Sequence, residues 1–205
     1  MFYGCLTSIV LLLLAGVLAY FTVRWVRSQI YAFTGTAPVQ LPKVEMADAE
    51  YQNLQKRVSS FNDAMQQGKP GEPLVLNERE INALITKAPN MKDIANKVYV
   101  SLDGDQVKGQ ISLPLDKFGW LGRGRYLNGE ATFKVSLQNG VLSVTAQEIQ
   151  VNGKQLPETV MSGLREKNLA EDVIAKDPQK AEALSKIESI QVHDSLVTIQ
   201  ARATQ

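Results

Sequence analysis

The sequence predicts an α+β fold: an N-terminal transmembrane helix followed by an antiparallel, hairpin-rich curved sheet packed by helices. Three observations carry this expectation. Residues 2–23 hold no charged side chain. Alternating apolar segments come in pairs, joined by Asp-Gly, Asn-Gly or Asp-Ser turns. Between them lie stretches with apolar residues three and four apart.

The chain divides into an anchor over 1–27, a tether over 28–46 and a globular domain over 47–205. At ~1.5 Å per residue, the uncharged stretch makes a helix of roughly 33 Å, enough to cross a hydrocarbon core. Tyr3, Tyr20, Phe21 and Trp25 flank its ends, where amphipathic rings favour the interface. A cleaved signal peptide is the competing reading. The positive n-region it needs is absent, and Val17-Leu18-Ala19 is only a fair cleavage site. Cys5 precedes the apolar run, so it is no lipoprotein attachment site. Gly35, Pro38 and Pro42 mark the tether.

A helix is predicted over 47–67, because Tyr51, Leu54, Val58, Phe61 and Met65 form one apolar stripe. Gly68 suits the position past its end and Pro70 forbids continuation. Leu74-Val75-Leu76 is a short extended run. Asn77 and Glu80 have capping-box spacing and open a helix over 77–88, with Ile81, Leu84, Ile85 and Ala88 on one face. Strands follow at 97–102 and 106–113, turning at Asp103-Gly104. A long connection from Leu115 to Asn128 leads to strands 129–138 and 141–151 around Asn139-Gly140. Leu142, Val144 and Ala146 share one parity, whereas Ile149 and Val151 take the other. One extra residue near Gln147-Glu148 explains the slip, so a β-bulge is predicted there. Pro157 opens a helix over 157–167. A short helix at 178–186 and strands at 188–193 and 196–203 complete the chain. Hairpins dominate, so the sheet is antiparallel with helices on one face.

Composition narrows the function. Lys+Arg total 22 and Asp+Glu 21, a net charge of +1, which does not suit a nucleic-acid binder. One Cys and one His exclude an internal disulfide framework and a Cys/His zinc site. His193 beside Asp194 reads as a solvated turn, since a catalytic pair needs a nucleophile and an orienting environment. Asp103-Gly104-Asp105 lacks the further oxygen ligands of a calcium loop. No strand–glycine loop–helix pattern cradles a phosphate. Neither a catalytic residue nor a metal or cofactor site is assigned, and the chain reads as a non-enzyme.

The loop Lys117–Tyr126 is the most unusual stretch. Phe118, Trp120 and Tyr126 stand among Lys117, Arg123 and Arg125, with Gly119, Gly122 and Gly124 between. Arg123 and Arg125 suit lipid phosphates, and Trp120 suits a headgroup boundary. Phe118, Trp120, Arg123, Arg125 and Tyr126 are therefore the candidate ligand or interface residues. The structural alternative is a long hairpin connection whose aromatics cap the core. The face Val160, Met161, Leu164 reads as helix packing on the sheet.

Leu74–Ile85 resembles the extended run and E-x-N-x-L-I helix start of a group of small, single-pass membrane-anchored bacterial proteins. Arg125-Tyr126-Leu127-Asn128-Gly129, Val151–Pro157 and Asn168-Leu169 are similar to the same group. More distantly, the arrangement is similar to TULIP-like lipid-binding proteins, which hold acyl chains between a curved sheet and a helix. The resemblance implies a cell-membrane protein with an exported domain that binds lipid or another apolar ligand. The alternative is a structural or interaction subunit with a membrane-protein partner. Two arginines after the span, Arg24 and Arg27, favour the opposite orientation under the positive-inside rule.

Overall fold

The structure, a computed structural model, describes residues 24, 28, 31–69, 71–87, 92, 94–138, 140–175 and 178–203. The predicted anchor over 2–23 lies outside the described residues. Among the described residues, no helix is long and apolar enough to cross a membrane.

Helix α1 runs Asp48–Gln66 and buries Leu54 and Phe61. Tyr51, Val58 and Met65 of the predicted stripe pack partly buried around them. Gly68, at φ 63°, reverses the chain after the last turn, a backbone that glycine adopts without penalty. Strand β1, Leu74–Asn77, leads into α2, Glu78–Lys87. The capping box there is reciprocal: Glu80 N–H donates to Asn77 Oδ1 at 2.9 Å, and Asn77 N–H donates to Glu80 Oε2 at 3.0 Å.

Strands β2 (Val98–Asp103), β3 (Gln106–Pro114), β4 (Tyr126–Gln138) and β5 (Val141–Val151) form two hairpins. A two-residue strand β6, Lys154–Gln155, folds back on β5. Helices α3 (Glu158–Glu166), α4 (Glu171–Ala175) and α5 (Pro178–Ser185) precede the last hairpin, β7 (Ile187–His193) and β8 (Leu196–Ala201). The fold is α+β, with one antiparallel eight-stranded open sheet.

Strand β4 organises that sheet. One of its edges carries β5, and the other is shared by two strands. β3 pairs with Tyr126–Lys134, and β7 takes over at Leu137↔Ile190. The hairpins β2–β3 and β7–β8 meet tip to tip along this edge. Ser195 N–H donates to Gly104 C=O at 2.9 Å, and Gly104 N–H to Ser195 Oγ at 3.2 Å. The predicted bulge lies nearby. Thr132 pairs with Glu148 and Phe133 with Ala146, which leaves Gln147 as the extra residue. The slip keeps Ala146 and Ile149 on the same face.

That face is apolar across the sheet. One row runs Leu74, Ile199, Ile190, Leu137, Leu142 over five strands. Helix α1 covers its β1–β8 end, where Leu54, Phe61, Leu74, Leu76, Ala83 and Ala201 make the core. Burial of a side chain such as Leu54 or Phe61 stabilises by about 1.5–3 kcal/mol. Toward β2–β5 the same face mixes buried Leu102, Leu137 and Ala146 with half-buried Val107, Ile111, Phe133 and Val144.

Side chains cover the sheet edges. Arg57 donates to Val75 C=O on β1. Asn82 of α2 pairs with Val100 of β2. On β5, Arg165 Nε donates to Gln147 C=O at 3.2 Å, and Asn168 bonds Leu142 and Val144. Such covers deny further strands a template.

Several boundaries differ from the sequence expectation. β4 begins at Tyr126, not residue 129, because Tyr126–Asn128 find partners in Ser112–Pro114. The connection before it contains a 3₁₀ turn, Asp116–Leu121. Helix α2 buries Asn82 and Ala83 most deeply, since it faces both the core and the edge of β2. On α3, Met161 is buried, but Val160 is 47% exposed.

Candidate functional site

An open apolar groove of about 470 Å³ lies where β5 meets α4 and α5. Its walls are Leu142 and Val144 from β5, Leu169 and Ala170 from the connection, Ile174 from α4, Ala183 and Leu184 from α5, and Ile187 from β7. Asn168 builds it. Its Oδ1 accepts Val144 N–H at 2.9 Å and Ala170 N–H at 3.1 Å, and its Nδ2 donates to Leu142 C=O at 2.7 Å. Leu169 N–H donates to Val144 C=O at 2.8 Å. These bonds lay Leu169 and Ala170 beside the strand and extend the apolar face past its edge. The volume falls in the ~300–1,000 Å³ range of small-molecule sites. A wall without titratable side chains suits an apolar chain and offers no group for acid–base chemistry.

The loop singled out by sequence is closed on itself and tied to the tether. Asp116 Oδ1 accepts Gly124 N–H at 3.0 Å and closes it. Gly122 is required by contact: a Cβ there would stand 2.1 Å from Leu115 O. Arg125 is turned onto the tether. Its Nε donates to Thr34 Oγ1 at 2.5 Å, its Nη2 reaches Thr34 O and Tyr31 O, and its guanidinium lies 4.3 Å from the Tyr31 ring centroid. Tyr126 belongs to β4 and bridges Gly35 through two backbone bonds of 2.8 and 2.9 Å. Arg123 is exposed. The side chains of Phe118 and Trp120 lie outside the described part of the structure. Arg125 and Tyr126 thus hold the residues that follow the predicted anchor, and Arg123 faces solvent.

A second cavity, also about 470 Å³, is polar and lies between the tether, α2 and β2. Its central groups are committed to structure. Glu78 accepts Tyr99 O–H at 2.5 Å and Leu102 N–H at 3.1 Å. That hydrogen bond, then burial, then the Glu78 charge push the Tyr99 phenol up to about 12. Arg79 is held by Glu45 C=O and Glu50. His193 and Asp194 are 80% and 81% exposed at 3.3 Å, a solvated turn. Among the described residues, no group of three or more His, Cys, Asp or Glu is placed to hold a metal ion.

The chain matches no protein-family model, no curated protein and no solved structure. The site therefore rests on its own geometry. The groove was not assigned from sequence, although Leu169, Ile174 and Leu184 each fall on short helical patterns. The signal was Asn168, a polar residue between an amphipathic helix and an apolar pair, which forms the wall once β5 is beside it.

Proposed function

We propose that this chain is a non-enzymatic, membrane-anchored domain that takes an acyl chain or similar apolar ligand in the groove beside β5. The observation that carries the reading is the groove itself. Eight apolar residues line it, and they continue the sheet's apolar face. The clamp of Arg125 and Tyr126 on residues 31–35 supports a domain held near the membrane, with the groove toward the opposite end of β4. The clamp holds the domain against the chain that leaves the uncharged stretch 2–23. The alternative is a structural or interaction subunit of a membrane protein complex, and the side chains on the sheet edges speak only against docking by strand addition.

Photo-crosslinking in native membranes tests the reading. A phospholipid carrying a photoreactive group at its acyl terminus is incorporated and adducts are mapped by mass spectrometry. Adducts on peptides holding Leu169–Ile174 and Leu184 are expected, with loss in Leu184→Glu. Adducts confined to residues 2–23 and unchanged in that variant would overturn it.

A further inference from the structure

The turns at one end of the sheet form a distinct surface. The row Val98, Ile111, Gly129, Val151 marks the end at which β2 starts, β3 stops, β4 starts and β5 stops. Beyond it lie three turns, at residues 92–97, 115–125 and 152–154. Gly35, bridged to Tyr126, brings the tether to the same end. Asn152 Nδ2 also donates to Thr34 C=O, at 3.4 Å.

The charges of these turns are unbalanced. Lys92, Lys117, Arg123 and Lys154 are exposed there. Among the described residues of the three turns, the only acid is Asp116, and its carboxylate accepts Gly124 N–H. Asp93 lies outside the described residues. The acidic turns are elsewhere: Asp103 and Asp105 on β2–β3, and Asp194 on β7–β8, meet along the far stretch of β4. A chain of net charge +1 therefore gathers cations at the end where the tether attaches.

We propose that this end of the domain is a docking surface for anionic phospholipid headgroups, with Lys117, Arg123 and Lys154 as its principal contacts. The proposal rests on the reading that residues 2–23 lie in a membrane. Arg125 prepares the surface instead of forming it. Its bonds to Thr34 and its stacking on Tyr31 fix the loop against the emerging chain, so the exposed cations are presented together. Interaction of Lys and Arg with an anionic surface is additive over a few residues and fades within a Debye length, about 10 Å at 0.1 M salt.

The full chain is incorporated into lipid nanodiscs of phosphatidylcholine, with or without phosphatidylglycerol. Acylation by a water-soluble amine reagent is then followed residue by residue. Phosphatidylglycerol is expected to slow modification of Lys117 and Lys154 about tenfold, through contact with the headgroups, and high salt is expected to reverse the effect. Lys56 on α1 and Lys134 on β4, both exposed away from this end, keep their rates. In the K117E/R123E variant, the protection of Lys154 is expected to fall severalfold, with an unchanged melting curve. Equal rates for Lys117 and Lys154 in the two lipids would overturn the surface while leaving the anchor intact. Failure to enter neutral discs, with salt-sensitive capture by anionic ones, would overturn the anchor and support the surface.

Discussion

Asn82 and Val100 are joined as though the side chain were a strand. Asn82 Oδ1 accepts Val100 N–H at 2.8 Å, and Nδ2 donates to Val100 C=O at 2.5 Å. The amide also donates to Glu78 C=O, one turn earlier on α2, at 2.8 Å. Asn82 is 1% exposed. Asn82 thus covers the outer edge of β2 at Val100, and Glu78 does the same at Leu102.

Asn82→Leu keeps the size but leaves two strand groups without partners. The expected loss is about 2–4 kcal/mol, because each buried unpaired group costs about 1–3 kcal/mol. Urea unfolding measures it. Asn82→Asp, which retains the acceptor for Val100 N–H and loses the donor, is also expected to be less stable than the parent.

The Tyr99–Glu78 bond gives a pH signature. In the folded protein the Tyr99 phenol is pushed up to about 12, above its ordinary value of 10.0. The neutral phenol is thus preferred by the native state. Its contribution is complete below pH 10 and is lost as pH rises through about 12. Tyrosinate absorbance should show one late-titrating phenol in the folded protein. Tyr99→Phe should abolish that phase and flatten the fall in stability over the same window.

Gly122 and Gly119 separate crowding from backbone conformation. Gly122→Ala drives a methyl into Leu115 O, at 2.1 Å, and is expected to cost about 3 kcal/mol or more. Gly119 has φ +75° and nothing within 4 Å of an added Cβ. Gly119→Ala should cost only about 1 kcal/mol, the left-handed penalty. Thermal melts of the two variants, compared side by side, check the order.

Arg125→Ala frees the tether at Tyr31 and Thr34. Cleavage by a protease between residues 33 and 47 is expected to quicken several-fold, with little change in the core melt. Arg125→Lys should not restore protection, because an ammonium cannot stack on Tyr31 and span Thr34 in one plane. Equal cleavage of parent and variants would dispose of the clamp.

Local chemistry was legible in the sequence. The stripe of α1 fits its buried Leu54 and Phe61, since a period near 3.6 is intrinsic to the helix. Asn77 and Glu80 close their capping box within four residues. The parity slip after Ala146 places the bulge at Gln147, because side chains alternate strictly along a strand. Asn152, Gly153, Asp194 and Ser195 all take the positive φ that tight hairpins demand.

Long-range geometry was not legible. Arg125 and Arg123 are chemically alike in sequence, yet Arg125 meets Thr34, 91 positions away, and Arg123 remains in solvent. Asn82 and Asn168 carry the same amide, and each acquires its role only when a particular strand edge arrives beside it. The sequence by itself determined which segments become helices, hairpins and the bulge, because those outcomes depend on neighbours a few residues apart. Tertiary structure alone decided that β3 and β7 share one edge of β4, that side chains cover parts of the sheet edges, and that β5 with α4 and α5 lines an open apolar groove. Those outcomes are contacts between distant segments, and pairing between distant segments leaves no periodicity in the chain.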